Sequence, residues 1–453
     1  MLRGPRSVTA VVACVLLVGG VWSGSAAAAP KTPTANGGVT SLPPLHPAPS
    51  TVRHSAAPLA ASRACPAALT GAQLDRARAQ RKNGAGVAGA VCAQVGARSS
   101  HYRDPARNTG GGSDVHPNDY ITTECELDGF DQNTWYYFRD QSCIWGVPVV
   151  WTTYDTDTGE VIGTADFTVG AQYDLDTTSP GFSELFEVTF DDAVGYGEGE
   201  PWTITHTATC DSQCTSTGGV GVGDYVLPGD TFDTEEDFQD YTTLDVTNFT
   251  NEWTALPPDT ALINPADLEN APAVRCDDGS QVGSPYHGCV IDGGLSVLQL
   301  SLSNAGAGAA FVQWAEFQLP GGYGYYVPMT RYAGTPVWST NDNRDVVCDR
   351  SFVHDSTVAT DSCDEYAFAA SYESAGLTGS ITSGAQCAEV TPFETAPGSG
   401  TWDVRTKNSD TSKNCARGHV PLSQNQSVGG SYGALIQSQR VMDGDQFYVS
   451  VGA

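Results

Sequence analysis

The chain is 453 residues long and carries 22 Lys/Arg against 52 Asp/Glu, a formal net charge of −30 at pH 7. At roughly 150 residues per domain there is room for two or three domains, and the acidic balance argues against a protein built on a broad basic face for nucleic acid. With 50 glycines, many Thr, Ser and Asp, and few long helical patterns, the composition favours a β-rich, loop-rich architecture.

The first residues read as an export signal, residues 1–29. Arg3 and Arg6 form a positive start, VTAVVACVLLVGGVW is an apolar stretch, and SAAAAP offers small residues for cleavage near Ala29. No later run approaches the roughly 20 apolar residues that span a bilayer. The expectation is a secreted, extracellular protein with no membrane attachment after cleavage. Residues 30–114 form a basic leader: residues 1–114 hold twelve Lys/Arg and three Asp/Glu. Residues 30–60, rich in Pro, Ala and Thr, are expected to be disordered. LTGAQLDRARAQRKNGAG (69–86) reads as one short helix, with Thr70 placed to cap its start and Gly84 after its end. Such a basic helix either docks on acidic surface or is solvated. Charge runs are usually solvated, and that is the expectation.

Residues 115–270 are acidic and read as strands. TWYYFRD, GVPVVWTTYD, GEVIGTADFTVGAQYDL, FSELFEVTFDD and PWTITHTATC are rich in β-branched and aromatic residues, with alternating apolar and polar positions. YDTDTGEV has the Asp and Gly of a hairpin turn. Regular strand spacing with little helix suggests a sandwich of about 7 strands, its acids on a solvated face. DTFDTEEDFQDY (230–241) clusters carboxylates that suit a hard cation such as Ca²⁺. It lacks the loop pattern of a calcium-binding helical hand, and a plain acidic loop is the expected alternative.

Of 13 cysteines, Cys14 lies in the signal, which leaves an even number. They fall as sequence neighbours: Cys65 with Cys92, Cys125 with Cys143, Cys210 with Cys214, Cys276 with Cys289, Cys348 with Cys363, and Cys387 with Cys415. In an oxidising compartment this reads as a disulfide framework with nearest neighbours paired, although spacing alone does not fix connectivity. CDSQC lacks a second Cys/His pair close by for a zinc site.

A boundary near NAPAVRCDDG (270–279) opens a third region, 271–453, which is expected to be α+β. Part of VLQLSLSNAGAGAAFVQWAEFQLPG suits a helix. Further on, SCDEYAFAASYESAG (362–376) sets two adjacent acids, Asp364 and Glu365, behind a cysteine. Such a pair is often only a solvated turn. It also suits a hard divalent cation, or a division of labour in which one acid takes a proton from water.

Four words occur in order in this region: CDEYAFAASYESAG, CAEVTP, RGHVPLSQNQSVGGSYGALIQSQR and VMDGDQFYVSVG. Together they resemble the secreted deoxyribonuclease family NucA/NucB in its actinobacterial form, most strongly from Asp342 to Ala453. The resemblance implies a metal-dependent, sequence-nonspecific endonuclease with a ββα-metal core, acting on extracellular DNA with Mg²⁺ or Mn²⁺. Asp364 matches the acid that acts as base on the attacking water. Glu365 matches its neighbour, a metal or supporting ligand, and Asn425 matches the polar metal ligand at the helix start. The chain departs from the family pattern at Ala367, where a Pro is usual, and at Gln424 and Gln426, where some relatives place an acid and an Arg.

Further candidates are His419, as base or phosphate ligand against an ordinary strand residue, and Arg417, Arg344 and Arg350 as phosphate clamps against surface ion pairs. With Arg405 and Arg440 these arginines offer a local basic groove in an acidic chain. GGSYG (429–433) either cradles phosphate at a helix start or serves close packing. The few histidines have no nucleophile signature around them, which argues against Ser/His/Asp hydrolysis. The rival functional class is a non-catalytic secreted β-rich binding or adhesion protein with a degenerate nuclease-like domain.

Overall fold

A computed structural model describes residues 39–41, 56–58, 64–82, 89–97, 125, 130–211, 214–216, 221–268, 271–294 and 296–452. The expected signal, 1–29, lies outside the described residues.

The first half is built of strands, as its alternating sequence demands. After two short strands, β1 (Val39–Ser41) and β2 (Ala56–Pro58), comes the helix α1 (Ala72–Lys82). The strands β3 (Gly89–Val95), β4 (Thr134–Tyr137), β5 (Gln141–Asp155), β6 (Val161–Leu175) and β7 (Gly181–Gly195) follow. Then come β8 (Trp202–Cys210), β9 (Thr215–Ser216), β10 (Gly221–Val226), β11 (Thr231–Gln239), β12 (Leu244–Thr247), β13 (Phe249–Leu256), β14 (Thr260–Asn264) and β15 (Ala266–Asp267). A nine-stranded sheet runs β14-β3-β5-β6-β7-β11-β9, with β4 on β5 and β2 on β4. A four-stranded sheet runs β10-β8-β13-β15. The two sheets share one apolar core. Trp151 and Phe167 from the larger meet Trp253 and Trp202 from the smaller at ring separations of 5.3 and 5.7 Å. This is more strand than the seven expected from residues 115–270, and the segment before residue 115 adds β2 and β3 to the larger sheet.

The hairpin read from YDTDTGEV joins β5 to β6. Asp155 Oδ1 accepts from the N–H groups of Asp157 and Thr158, and Gly159 takes the left-handed φ of +79°. Helix α1 corrects the expectation of a solvated basic helix. Arg78 donates to the Thr156 carbonyl of this turn at 3.2 Å, and Leu69 and Ala77 are buried with Ala90, Cys92 and Tyr154. The acidic stretch 230–241 is likewise not a loop. Residues 231–239 are β11, paired antiparallel with β7 along its whole length. Its alternation turns Glu236 and Phe238 inward and leaves Asp233, Glu235 and Asp237 exposed.

The second half begins with β16 (Val274–Asp277), β17 (Gly288–Ile291) and β18 (Ser296–Ser301), then α2 (Leu302–Gln318), β19 (Met329–Thr330) and α3 (Thr340–Val347). It ends with β20 (Asp361–Tyr366), α4 (Ala375–Thr378), β21 (Ala388–Glu394), β22 (Trp402–Asn408), β23 (Ala416–Pro421), α5 (Leu422–Ser438) and β24 (Gln446–Gly452). A five-stranded sheet runs β1-β22-β21-β23-β20, and α2 and α5 contribute with it to one apolar core around Phe311, Trp314, Tyr366 and Val420. Ser301 caps α2, and α3 opens with a reciprocal capping box between Ser339 and Asp342.

All six cysteine pairs expected from sequence proximity lie at bonding distance, with Cα separations of 4.1–6.0 Å. The first and second halves are also joined by buried charge. Arg139 of the first half donates to Asp445 of the second at 2.7 Å; within the second half Asp445 also accepts, through both oxygens, from Arg275 at 2.7–2.8 Å, and Arg440 is paired to Asp277. Among the described residues no helix is long and apolar enough to cross a membrane.

Candidate active site

Strand β20 is an edge strand, and its pairing with β23 decides where the paired acids point. Asp364 stands opposite Gly418, and Glu365 opposite Arg417. Consecutive strand residues face opposite sides, so the two acids part. Ser362, Asp364 and Tyr366 face the helices α2 and α5. Asp361, Cys363 and Glu365 face the side of α3.

Asp364 is buried, 5% exposed. Its Oδ1 accepts from the Glu365 N–H at 3.1 Å, and its Oδ2 has no hydrogen-bond partner among the described residues. Gly418 opposite has no side chain, so Phe311 of α2 lies close: a Cβ on that glycine would stand 2.8 Å from the ring. Burial, and then the nearby Glu365 carboxylate, hold Asp364 well above the usual carboxylate range, while Arg344 pulls the other way.

Asn425 reaches the same side of β20 from the first turn of α5. Its Nδ2 donates to the Cys363 carbonyl at 3.0 Å and to Ser362 Oγ at 3.2 Å. A carbonyl acceptor fixes which end of the amide is nitrogen, so Oδ1 is the end left for another ligand. Gln424 turns away. Its Oε1 accepts from the Ala307 N–H at 2.8 Å, at the kink in α2 where Gly306 takes φ +45°. A Cβ on Gly306 would meet the Gln424 amide at 2.6 Å, so this close approach needs glycine.

Glu365 is equally buried but fully engaged. Arg344 Nε donates to its Oε1 at 3.0 Å, and the Ala369 N–H also supports the carboxylate. Burial pushes it upward, and Arg344 opposes the shift. The Arg344 side chain is 53% exposed, so its outer nitrogens reach solvent. The Cys348–Cys363 disulfide ties the end of α3 to β20 beside this pair.

Three sequence candidates lie elsewhere. His419, 0% exposed, sits between Asp361 Oδ2 at 2.8 Å and Glu389 Oε1 at 3.0 Å, with Phe352 stacked on it at 4.3 Å. It is a buried bridge on the α3 side of the sheet and has no route to a phosphate. Arg417, 4% exposed, is taken by Glu389, Ser351 and Asp349. Its guanidinium is spent inside the protein and is not a phosphate clamp. Arg440, 0% exposed, is committed to Asp277. The basic groove therefore reduces to exposed Arg344 and Arg350 and to half-buried Arg405. GGSYG lies in the middle of α5, where N–H groups are used by the helix itself, so it does not cradle phosphate.

Sequence reading did not identify Asp361, Glu389, Lys407 and Asp355. They form the polar network around His419, with Lys407 bridging Asp355 and His419 at 3.1 Å each. The period-two spacing of Asp361, Cys363 and Glu365 is the one local signal that they share a face. Among the described residues no group of three or more His, Cys, Asp or Glu is placed to hold a metal ion. No family model, curated protein or solved structure matches the chain.

Proposed function

We propose that this chain is an exported, metal-dependent endonuclease that hydrolyses phosphodiester bonds of extracellular DNA, with β20, β23 and α5 as a ββα-type core. One observation carries the reading. The carboxyl oxygen Oδ2 of Asp364 is buried without a partner among the described residues, on the face of β20 that the Asn425 amide also reaches, and both residues belong to words that resemble the NucA/NucB family. A buried polar atom without a partner is costly unless it has a use.

The donors fit a hard, water-rich cation such as Mg²⁺ or Mn²⁺, which accepts few protein oxygens and keeps several waters. Asn425 Oδ1 would hold it. When bound, the ion supplies charge against the developing negative phosphate. Asp364 Oδ2 takes the proton of the attacking water. Glu365 is assigned to holding Arg344, whose exposed end binds a phosphate oxygen, and the Cys348–Cys363 bridge keeps β20 in place. Export agrees with the six disulfides.

The net charge and the burial of Arg417 and Arg440 favour the rival, a non-catalytic binding protein. Supercoiled plasmid with Mg²⁺ or Mn²⁺, with and without chelator, separates the two. Nicking that needs the ion and is lost in Asp364→Asn supports the enzyme. A parent chain that leaves plasmid intact under all these conditions overturns it.

A further inference from the structure

Strand β22 is the last full strand of the five-stranded sheet, and the only thing beyond it among the described residues is β1, three residues long. Thr40 pairs with Val404, flanked by Val39 with Arg405 and Ser41 with Asp403. The next residues after the strand include Pro43 and Pro44, which lack the N–H needed to continue a ladder. Fifteen residues further along, β2 pairs with β4 on a different sheet. β1 and β2, the described pieces of the leader's first part, are thus paired to two different sheets, and β1, a short strap, covers three of the seven residues of β22.

The covered stretch is self-complementary. If β22 paired antiparallel with β22 of a second copy about a two-fold axis at Val404, Asp403 of each copy would stand opposite Arg405 of the other. Both residues lie on the same face of the strand, and opposite charges directly across an antiparallel ladder attract. On the other face Val404 is buried and Trp402 packs against the apolar core, so two such cores would continue across the axis. A two-fold axis makes the contact closed and isologous. The strap places uncharged Val39 and Ser41 where these charges would find partners.

We propose that the β22 edge is a docking strand for a second copy of this chain, and that residues 39–41 keep the chain monomeric by occupying it. Three residue pairs hold a free strand poorly. The strap stays because its tether through β2 keeps it at high effective concentration. A cut in the chain between 42 and 55 removes the tether, frees the edge, and allows the dimer to form. The inference does not depend on the catalytic reading.

The test uses the full chain with a specific protease site placed between Pro47 and Ser50, weighed by sedimentation before and after cutting. The intact chain is expected to be a monomer, and cutting is expected to raise the weight-average mass twofold. Arg405→Asp, which sets like charges opposite each other twice, should stay monomeric after cutting. The exchange Asp403→Arg with Arg405→Asp should restore the doubling. A synthetic peptide of residues 37–43 should return the cut parent to monomer. Melting temperatures of the uncut variants check that each is folded. A cut parent that stays monomeric overturns the proposal. So does an intact parent that is already dimeric, or a folded Arg405→Asp variant that dimerises as well as the parent.

Discussion

The Asn425 side chain donates to the backbone carbonyl of Cys363 at 3.0 Å, a bond that joins positions 62 residues apart. It exists because β23 runs antiparallel to β20 and passes directly into α5, which returns the first helical turn to the strand carrying the acids. The bond orients the amide, leaving its oxygen for a cation. Asn425→Ala should therefore raise the Mg²⁺ concentration needed for half-maximal nicking by about ten- to a hundredfold, the range seen when metal-site support is removed. A Mg²⁺ titration of plasmid nicking measures this. An unchanged titration curve would remove Asn425 from the site.

Asp364→Asn separates catalysis from folding. The amide keeps the shape but cannot take a proton from water, so cleavage should fall by about 10²–10⁴-fold. Stability should not fall. Burial raises the proton affinity of Asp364 in the folded state, so the unfolded chain releases this proton at lower pH than the folded chain does. Stability in the parent therefore declines as pH rises above about 3.9, the unfolded value, and Asp364→Asn removes that decline. Melting curves at pH 5 and pH 8 should show the variant gaining on the parent at the higher pH.

Glu365 and Arg344 should behave as one unit. If the carboxylate works by aiming the guanidinium, Glu365→Gln and Arg344→Ala each raise KM by a similar factor, about tenfold on the scale of one charge-assisted contact, with kcat less affected. The double variant should be little worse than either single one, because coupled residues are not additive. Independent, multiplying losses would instead place Glu365 on the cation.

How much of this was legible follows from which interactions are local. The disulfide pairs and the 15-residue strands could be read directly, since close cysteines and period-two alternation are short-range signals. The carboxylates of β11 hid its strand, because exposed Asp233, Glu235 and Asp237 mask the inward Glu236 and Phe238. Asp364 and Glu365 read as one site because adjacency in sequence looks like proximity, whereas a strand sends neighbours to opposite faces. Arg417 and His419 looked available for phosphate because their buried partners Glu389 and Asp361 lie on other strands. Nothing within residues 39–41 announces a strand, since its pairing partner lies more than 360 residues away.

A second buried acid lies in the first half. Glu184 accepts from Tyr173 at 2.8 Å and from Asn251, beside His206. Burial pushes Glu184 up to about 8, and burial also lowers His206 to about 4. Between about pH 4.3, the unfolded Glu value, and pH 8, the folded chain holds a proton that the unfolded chain has released, so this group lowers stability as pH rises. His206 acts in the other direction: below about pH 6.5 the unfolded chain gains a proton that the folded one refuses. Glu184→Gln should keep the hydrogen bonds and remove the first effect. Its melting temperature should exceed the parent's at pH 8 and approach it near pH 4.

Asp445 is the reverse case, and through Arg139 it ties the second half to the first. Hydrogen bonds from Arg275 and the charges of Arg139 and Arg275 hold it down to about 2, against the opposing effect of burial. A depressed carboxylate contributes stability above its unfolded value near 3.9, and that contribution is lost as pH falls toward 2. The shift corresponds to about 2–3 kcal/mol at neutral pH. Asp445→Asn removes the nearest counter-charge from two buried guanidinium groups, and breaking such a pair costs about 3–5 kcal/mol. Denaturant melts at pH 7 should show that loss, with both apolar cores affected because Arg139 reaches the Gln439 and Arg440 carbonyls from the other half. At pH 2 the parent's advantage should shrink, because its own Asp445 is then half protonated. A gap that stays constant from pH 7 to pH 2 would mean that charge at this position does not stabilise the fold.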